Sequence, residues 1–172
     1  MHCPLNSVTT NQTILENTFR NILTDIFSKS KRSQIMASVK NKGTTSEIRI
    51  RKALFKKGYR YKVNDKSLAG SPDIVLPRYN AVIFVHGCFW HGHDNCSKAI
   101  KPNSNIKFWS AKIEKNRNRD KKAMLELKRN GWRVIVVWEC EIKNGRSFDT
   151  TIYRIDKKLS QFKSTRSHLL GS

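Results

Sequence analysis

Between Ala81 and Cys96 the chain reads AVIFVHGCFWHGHDNC: an apolar run, a turn at Gly87, then Cys88, Phe89, Trp90, His91, His93 and Cys96 in one short loop. A fold built on this segment must bury the run as a strand and gather ligand-type and acid–base side chains at the strand's end. His86, His91 and His93, three of the five histidines, lie in this window. Just upstream, Ser71-Pro72-Asp73 leads into Ile74-Val75-Leu76, so a carboxylate enters one strand shortly before the histidine strand begins. The strands Asp73–Leu76 and Ala81–His86 are joined across Pro77–Asn80, short enough to make them antiparallel neighbours.

Downstream, Ser97–Asn105 is a polar connection, and Ile106–Arg129 reads as a long helix carrying Phe108, Trp109, Ile113, Met124 and Leu127. Its middle, Lys115–Lys122, is almost wholly charged or polar, and Gly131 ends it. Trp132–Trp138 is then a buried strand, and one reached through a helical crossover lies parallel to an earlier strand. Upstream, Thr44-Thr45-Ser46 starts a helix with Glu47 in its first turn, Ile50, Leu54 and Phe55 on its apolar face, and Gly58 at its end. Tyr59–Val63 alternates apolar and polar residues as a half-buried strand does, and Asn64–Ser71 is a loop. Asp149–Phe162 is a last helix with Ile152, Ile155, Leu159 and Phe162 inward. The order helix, three strands, helix, strand, helix predicts an α/β fold, a single mixed sheet flanked by helices.

This domain is expected over residues 30–165, with a tail at 166–172. Ahead of it, residues 1–29 form an extension that starts as a loose segment, 1–13. Leu15, Phe19, Ile22, Leu23 and Ile26 then share one helical face, with Thr13 and Glu16 as a capping box. Ser28–Lys42 is basic and polar, either an arm that runs along phosphates or a solvated linker.

The charge balance narrows the partner. In 172 residues, 34 Lys and Arg face 13 Asp and Glu, a net charge of +21. That is the electrostatic footprint of a nucleic-acid binder, although a basic ribosomal or membrane-surface protein has it too. No apolar run is long enough to span a bilayer, and the N-terminus lacks a secretory pattern. The chain is therefore placed in the cytoplasm, where its four cysteines point to metal and not to disulfides.

Cys88-x4-His93-x2-Cys96 supplies three soft or borderline ligands, and Cys140, just past the last strand, is the obvious fourth. A Cys3His set is a closed tetrahedral zinc site, structural in role; the alternative is three free thiols and a surface histidine. His86 and His91 are then left over as groups able to take a proton from water near neutral pH. Asp73 can hold a hard cation such as Mg2+, although a Pro-Asp turn into a strand is also common as pure structure. Cation and base together suit hydrolysis of a phosphodiester. Phe89, Trp90 and Trp109 either stack on bases or close the core over zinc.

These blocks resemble a known family. Ser71-Pro72-Asp73, Val82–His91, Phe108-Trp109, Gly131-Trp132-Arg133-Val134 and Val137-Trp138-Glu139-Cys140 are similar to the very short patch repair (Vsr) DNA mismatch endonucleases, over about Lys31 to Ile142. The resemblance implies a restriction-endonuclease-like fold and nicking of double-stranded DNA 5′ to the thymine of a T:G mismatch, the product of 5-methylcytosine deamination. It implies Asp73 and the backbone carbonyl of Val85 as Mg2+ ligands, His91 as the group that activates water, and His86 and Glu47 as supporting residues. It further implies Cys88, His93, Cys96 and Cys140 as zinc ligands, and Phe89, Trp90 and Trp109 as intercalating aromatics. The implied setting is a monomer at the bacterial nucleoid, with T:G-mismatched DNA and repair proteins as partners and no membrane. Two other readings stand beside it: a related nuclease acting on unmismatched DNA, and a non-catalytic zinc-stabilised DNA-binding module.

Overall fold

The computed structural model describes Gln34, residues 43–101 and residues 105–168, with side chains to Gln161. The loose segment, the helix over Leu15–Ile26, nearly all of the basic arm and the end of the tail lie outside the described residues. The chain divides into two compact units, Met1–Val39 with Pro102–Ile106, and Lys40–Lys101 with Lys107–Ser172; nearly all described residues belong to the second.

Helix α1 spans Thr45–Lys56 and opens on a full capping box: the Thr44 side chain accepts from the Glu47 amide, and the Glu47 carboxylate accepts from the Thr44 amide. Ile50 and Leu54 are fully buried. Phe55, expected on the same face, is 57 % exposed instead. One residue is about 100° of helix, so Phe55 is carried off the buried stripe, where the Arg60 guanidinium covers its ring at 4.4 Å.

The strand expected over Tyr59–Val63 is a single bridge. Lys62 and Val75 exchange both backbone hydrogen bonds at 2.8 Å, and pairing stops there. Asn64 follows at φ 48°, a left-handed turn that leads the chain off the sheet, and Val63 is left 48 % exposed. Alternation correctly placed Tyr59 inward, but its hydroxyl donates to Asp156, beyond the sheet.

The sheet thus has three strands in the order β1 (Ile74–Leu76), β2 (Ala81–His86), β3 (Arg133–Trp138). β1 and β2 are antiparallel, with Ile74 opposite Ile83. β2 and β3 are parallel from Ala81 opposite Arg133 to His86 opposite Trp138. The crossover between them contains α2, Ile106–Arg129. Helix α3 runs Gly145–His168, longer than the expected 149–162; it starts earlier because the Asn144 side chain caps it by accepting from the Ser147 amide at 2.8 Å.

Both faces of the sheet are covered, which is why its strands read as continuous apolar runs. Ile74, Leu76, Ala81, Ile83, Ile135 and Val137 pack with Ile50 and Leu54 of α1 and Ile152, Ile155 and Leu159 of α3. Val75, Val82 and Phe84 pack on the other side with Leu127 of α2. β2 is the central strand, so everything after His86 emerges at the middle of the sheet's edge.

Candidate active site and metal cluster

The loop after β2 is held by turn bonds: the His91 amide to the Gly87 carbonyl (3.1 Å), and the His93 amide to the Cys88 carbonyl (2.9 Å). Gly92 sits at φ 60°, and a Cβ there would meet Ile113 of α2 at 2.7 Å. Only glycine lets the loop lie this close to the helix.

Parallel pairing ends with His86 opposite Trp138, so Cys88 and Cys140, each two residues further on, emerge side by side. His93 and Cys96 complete the group, and the four ligand atoms lie within 4.8 Å of one another. His93 Nδ1 is 3.3 Å from the Cys140 sulfur, and its ring stacks on Trp138 at 4.1 Å. Burial pushes the Cys88 thiol up to about 12 and raises Cys140 too, whereas the Lys98 amide holds Cys96 down. Thiols raised in this way ionise at neutral pH when a cation holds the thiolates, and three sulfurs with one imidazole fit a tetrahedral metal.

The other two histidines form a different group. His86, 5 % exposed, stacks on His91 with ring centroids 3.9 Å apart and planes 8° from parallel. His91 Nδ1 is 2.5 Å from Asp120 Oδ2. Burial, reinforced by the neighbouring His91, pushes His86 down to about 4, so it is neutral near pH 7. Burial alone would raise Asp120, but its hydrogen bond with His91 holds the carboxyl below the usual range. His91 and His93, two residues apart in sequence, thus belong to separate sites.

On the β1 side, Asp73 Oδ2 accepts from the Val85 amide at 2.8 Å. Burial pushes its carboxyl up to about 6 against that bond; Glu47 adds to the rise, while Arg51 and His91 oppose it. The Glu47 carboxylate is buried and accepts from the Gly43 amide (3.0 Å), the Thr44 hydroxyl (3.0 Å) and Arg51 Nη2 (2.7 Å). The same Arg51 nitrogen donates to the Asp73 carbonyl at 3.1 Å, tying the two acidic residues together. A half-buried carboxyl raised by desolvation, and further by a neighbouring acid, is a place where a hard cation relieves the cost of its charge.

Sequence reasoning missed Asp120 and Arg51. Asp120 looked like one more solvated charge in the middle of α2. Its spacing was the available signal: Ile113, Asp120, Ala123 and Leu127 recur at helical intervals, and the three apolar members of the set are buried. Arg51 follows Glu47 by one helical turn, a separation at which a guanidinium reaches a carboxylate.

Phe89, Trp90 and Trp109 contact one another edge to face, with centroids 5.2 to 6.0 Å apart. All three are half-buried, and Phe108, 61 % exposed, extends the cluster from Trp109. Asn116 of α2 anchors this end of the loop by donating to the Trp90 carbonyl at 2.9 Å.

Paired acids, a carboxylate-held histidine and clustered aromatics on a strongly basic α/β domain are the makings of a nuclease. The profile of DNA mismatch endonuclease Vsr matches residues 24–98. The chain is 53 % identical to the type II nicking enzyme V.NmeAIP of Neisseria meningitidis serogroup A over 122 residues, 71 % of this chain and 86 % of that protein. It is 40 % identical to the DNA mismatch endonuclease Vsr of Escherichia coli over 121 residues, 70 % of this chain and 77 % of that one. The chain belongs to the Vsr DNA mismatch endonuclease family. Among the described residues no helix is long and apolar enough to cross a membrane.

Proposed function

We propose that this protein nicks double-stranded DNA 5′ to the thymine of a T:G mismatch, using Mg2+ at Asp73 and zinc in the Cys3His cluster, on a restriction-endonuclease-like core. The observation that carries the reading is the His91–Asp120 pair, 2.5 Å apart, with His91 close enough to Asp73 to oppose the rise of its carboxyl. His91 takes the proton of the attacking water on its free ring nitrogen, while Asp120 orients the ring and stabilises the imidazolium. His86 stays neutral beneath it, so the stacked rings never both carry charge. Asp73 and the Val85 carbonyl would hold Mg2+, which when bound supplies charge neutralisation at the phosphate. Glu47 has most of its hydrogen-bonding capacity filled by the helix cap and Arg51, so its part is to position Arg51 and Asp73.

Specificity rests on the aromatic cluster. A T:G pair stacks less well than its matched neighbours, so wedging Phe89, Trp90 and Trp109 beside it costs less than at an intact pair. Aromatic–base stacking contributes about 1–3 kcal/mol per base. Trp90→Ala is therefore expected to slow nicking of a T:G duplex by roughly tenfold or more, with little loss of salt-sensitive binding to random DNA. The test is strand cleavage of duplexes differing only in T:G against C:G. Equal cleavage of both by the unaltered protein removes the mismatch reading and promotes a plain restriction-type nuclease.

The raised Asp73 carboxyl makes the cation step acid-sensitive. Below about 6 the folded protein holds a proton where the cation must bind. Apparent Mg2+ affinity should fall by about tenfold per pH unit below that point, and level off above it. Calorimetric titration of Mg2+ across this range checks it, and a flat profile excludes Asp73 as the ligand.

A further inference from the structure

We propose that Arg51 stands in for a second cation at Glu47, so that the acidic pair Glu47 and Asp73 takes one divalent ion and not two. Arg51 Nη2 lies between two hard oxygens from different elements: Glu47 Oε2 of α1 at 2.7 Å, and the Asp73 backbone carbonyl, just before β1, at 3.1 Å. Hydrolytic centres that use two ions need a second acid to hold the second ion. Glu47 is the acid in reach, and its place for a cation is filled. The pair is shielded from water, with side-chain exposures of 14 % for Arg51 and 4 % for Glu47. The other contacts of the Glu47 carboxylate all come from the helix cap and bring no full charge. A buried carboxylate left with those alone is strongly destabilised, so this position demands a cation of some kind.

Among the described residues Arg51 Nε is buried without an acceptor. The guanidinium is therefore kept for its charge on Glu47 and not for a full set of hydrogen bonds. Arginine is always charged and is tethered to α1, whereas an ion comes and goes with its concentration. The helix thus supplies permanently what a two-ion centre must recruit, and nicking should follow Mg2+ as a single-site curve. The count of one ion in the unaltered protein rests on the Asp73 reading above; the gain of an ion at Glu47 on losing Arg51 does not.

The experiment uses the full chain, loaded with zinc, and titrates it with Mn2+, which shares the oxygen preference of Mg2+ and is counted by electron paramagnetic resonance. The unaltered protein is expected to bind one ion, and so is Arg51→Lys, which keeps the charge. Arg51→Met, neutral and of similar length, is expected to bind two. Adding Glu47→Gln to it should return the count to one, since glutamine still serves the capping box but holds no cation. Circular dichroism and elemental analysis verify the fold and zinc content of each variant. Where Arg51→Met is unstable without an ion, Mn2+ should restore its Tm and NaCl of equal ionic strength should not. Its nicking of a T:G duplex should depend on Mg2+ sigmoidally. The proposal is overturned by two ions in the unaltered protein or in Arg51→Lys, or by no second ion in a folded Arg51→Met. A second ion that survives Glu47→Gln, or an unstable Arg51→Met that Mn2+ does not restore, overturns it equally. No ion in the unaltered protein with one gained in Arg51→Met overturns the Asp73 assignment and leaves the role of Arg51 standing.

Discussion

Asp73→Asn is expected to slow nicking at least about a thousandfold, equivalent to about 4 kcal/mol of transition-state stabilisation, while DNA affinity stays close to that of the unaltered protein. Asparagine matches aspartate in size, and its side-chain oxygen can still accept the Val85 amide that Asp73 Oδ2 accepts now. The link from Arg51 also survives, because it ends on the Asp73 backbone carbonyl. What disappears is the negative charge a hard cation needs. DNA affinity is insensitive to that loss because it comes mostly from Lys and Arg contacts with phosphates, and the net charge of +21 barely changes. Nicking rates at saturating protein, measured beside the salt dependence of binding, separate the two effects. A variant that nicks at nearly the original rate in Mg2+ would exclude Asp73 from the chemistry.

The second large effect is on stability. On the zinc assignment proposed above, Cys140→Ala should lose that ion and lower the Tm by about 10 °C, the scale of roughly 3–5 kcal/mol in a domain of this size. Cys140 lies in the short turn Glu139–Ile142 after β3, and its three partners all lie in or just after the loop that follows β2. That loop has turn bonds and no ladder, so an ion in the cluster would fix it to the far strand beside the His93–Trp138 stack. His93→Ala should behave alike, whereas His91→Ala should keep its zinc, because His91 lies with His86 and Asp120. Elemental analysis of the purified variants decides this, and full zinc content in Cys140→Ala would overturn the assignment of its ligand.

Much of the fold was legible because its signals are local. Helix α2 begins and ends where periodicity and Gly131 place it, at Ile106 and Arg129. The short link after Leu76 forced β1 and β2 antiparallel, and the crossover through α2 forced β3 parallel to β2. Errors came where the outcome depended on neighbours. Tyr59–Val63 has the alternation of a strand, yet a left-handed Asn64 and the pull of Asp156 on Tyr59 left one bridge. Phe55 was apolar enough to be inward, but the stripe already filled by Ile50 and Leu54 left it outside, beneath Arg60.

The functional site divides the same way. The Cys3His group was readable from residue type and spacing, since sulfur and imidazole are ligands wherever they stand and three of the four lie in one loop. Asp73 and His86 were likewise visible at strand ends, and His91 in the loop that follows, as residue types able to hold a cation or take a proton. The partnerships were not. His91 meets Asp120 because α2 packs across the loop at Gly92, and Arg51 ties Glu47 to the Asp73 backbone. Nor does composition tell that one carboxyl titrates near 6 and one imidazole near 4. Those values come from burial, which is a property of the packed chain: residue identity sets which groups can exchange protons or hold cations, and the surrounding elements set at what pH they do so and with which partner.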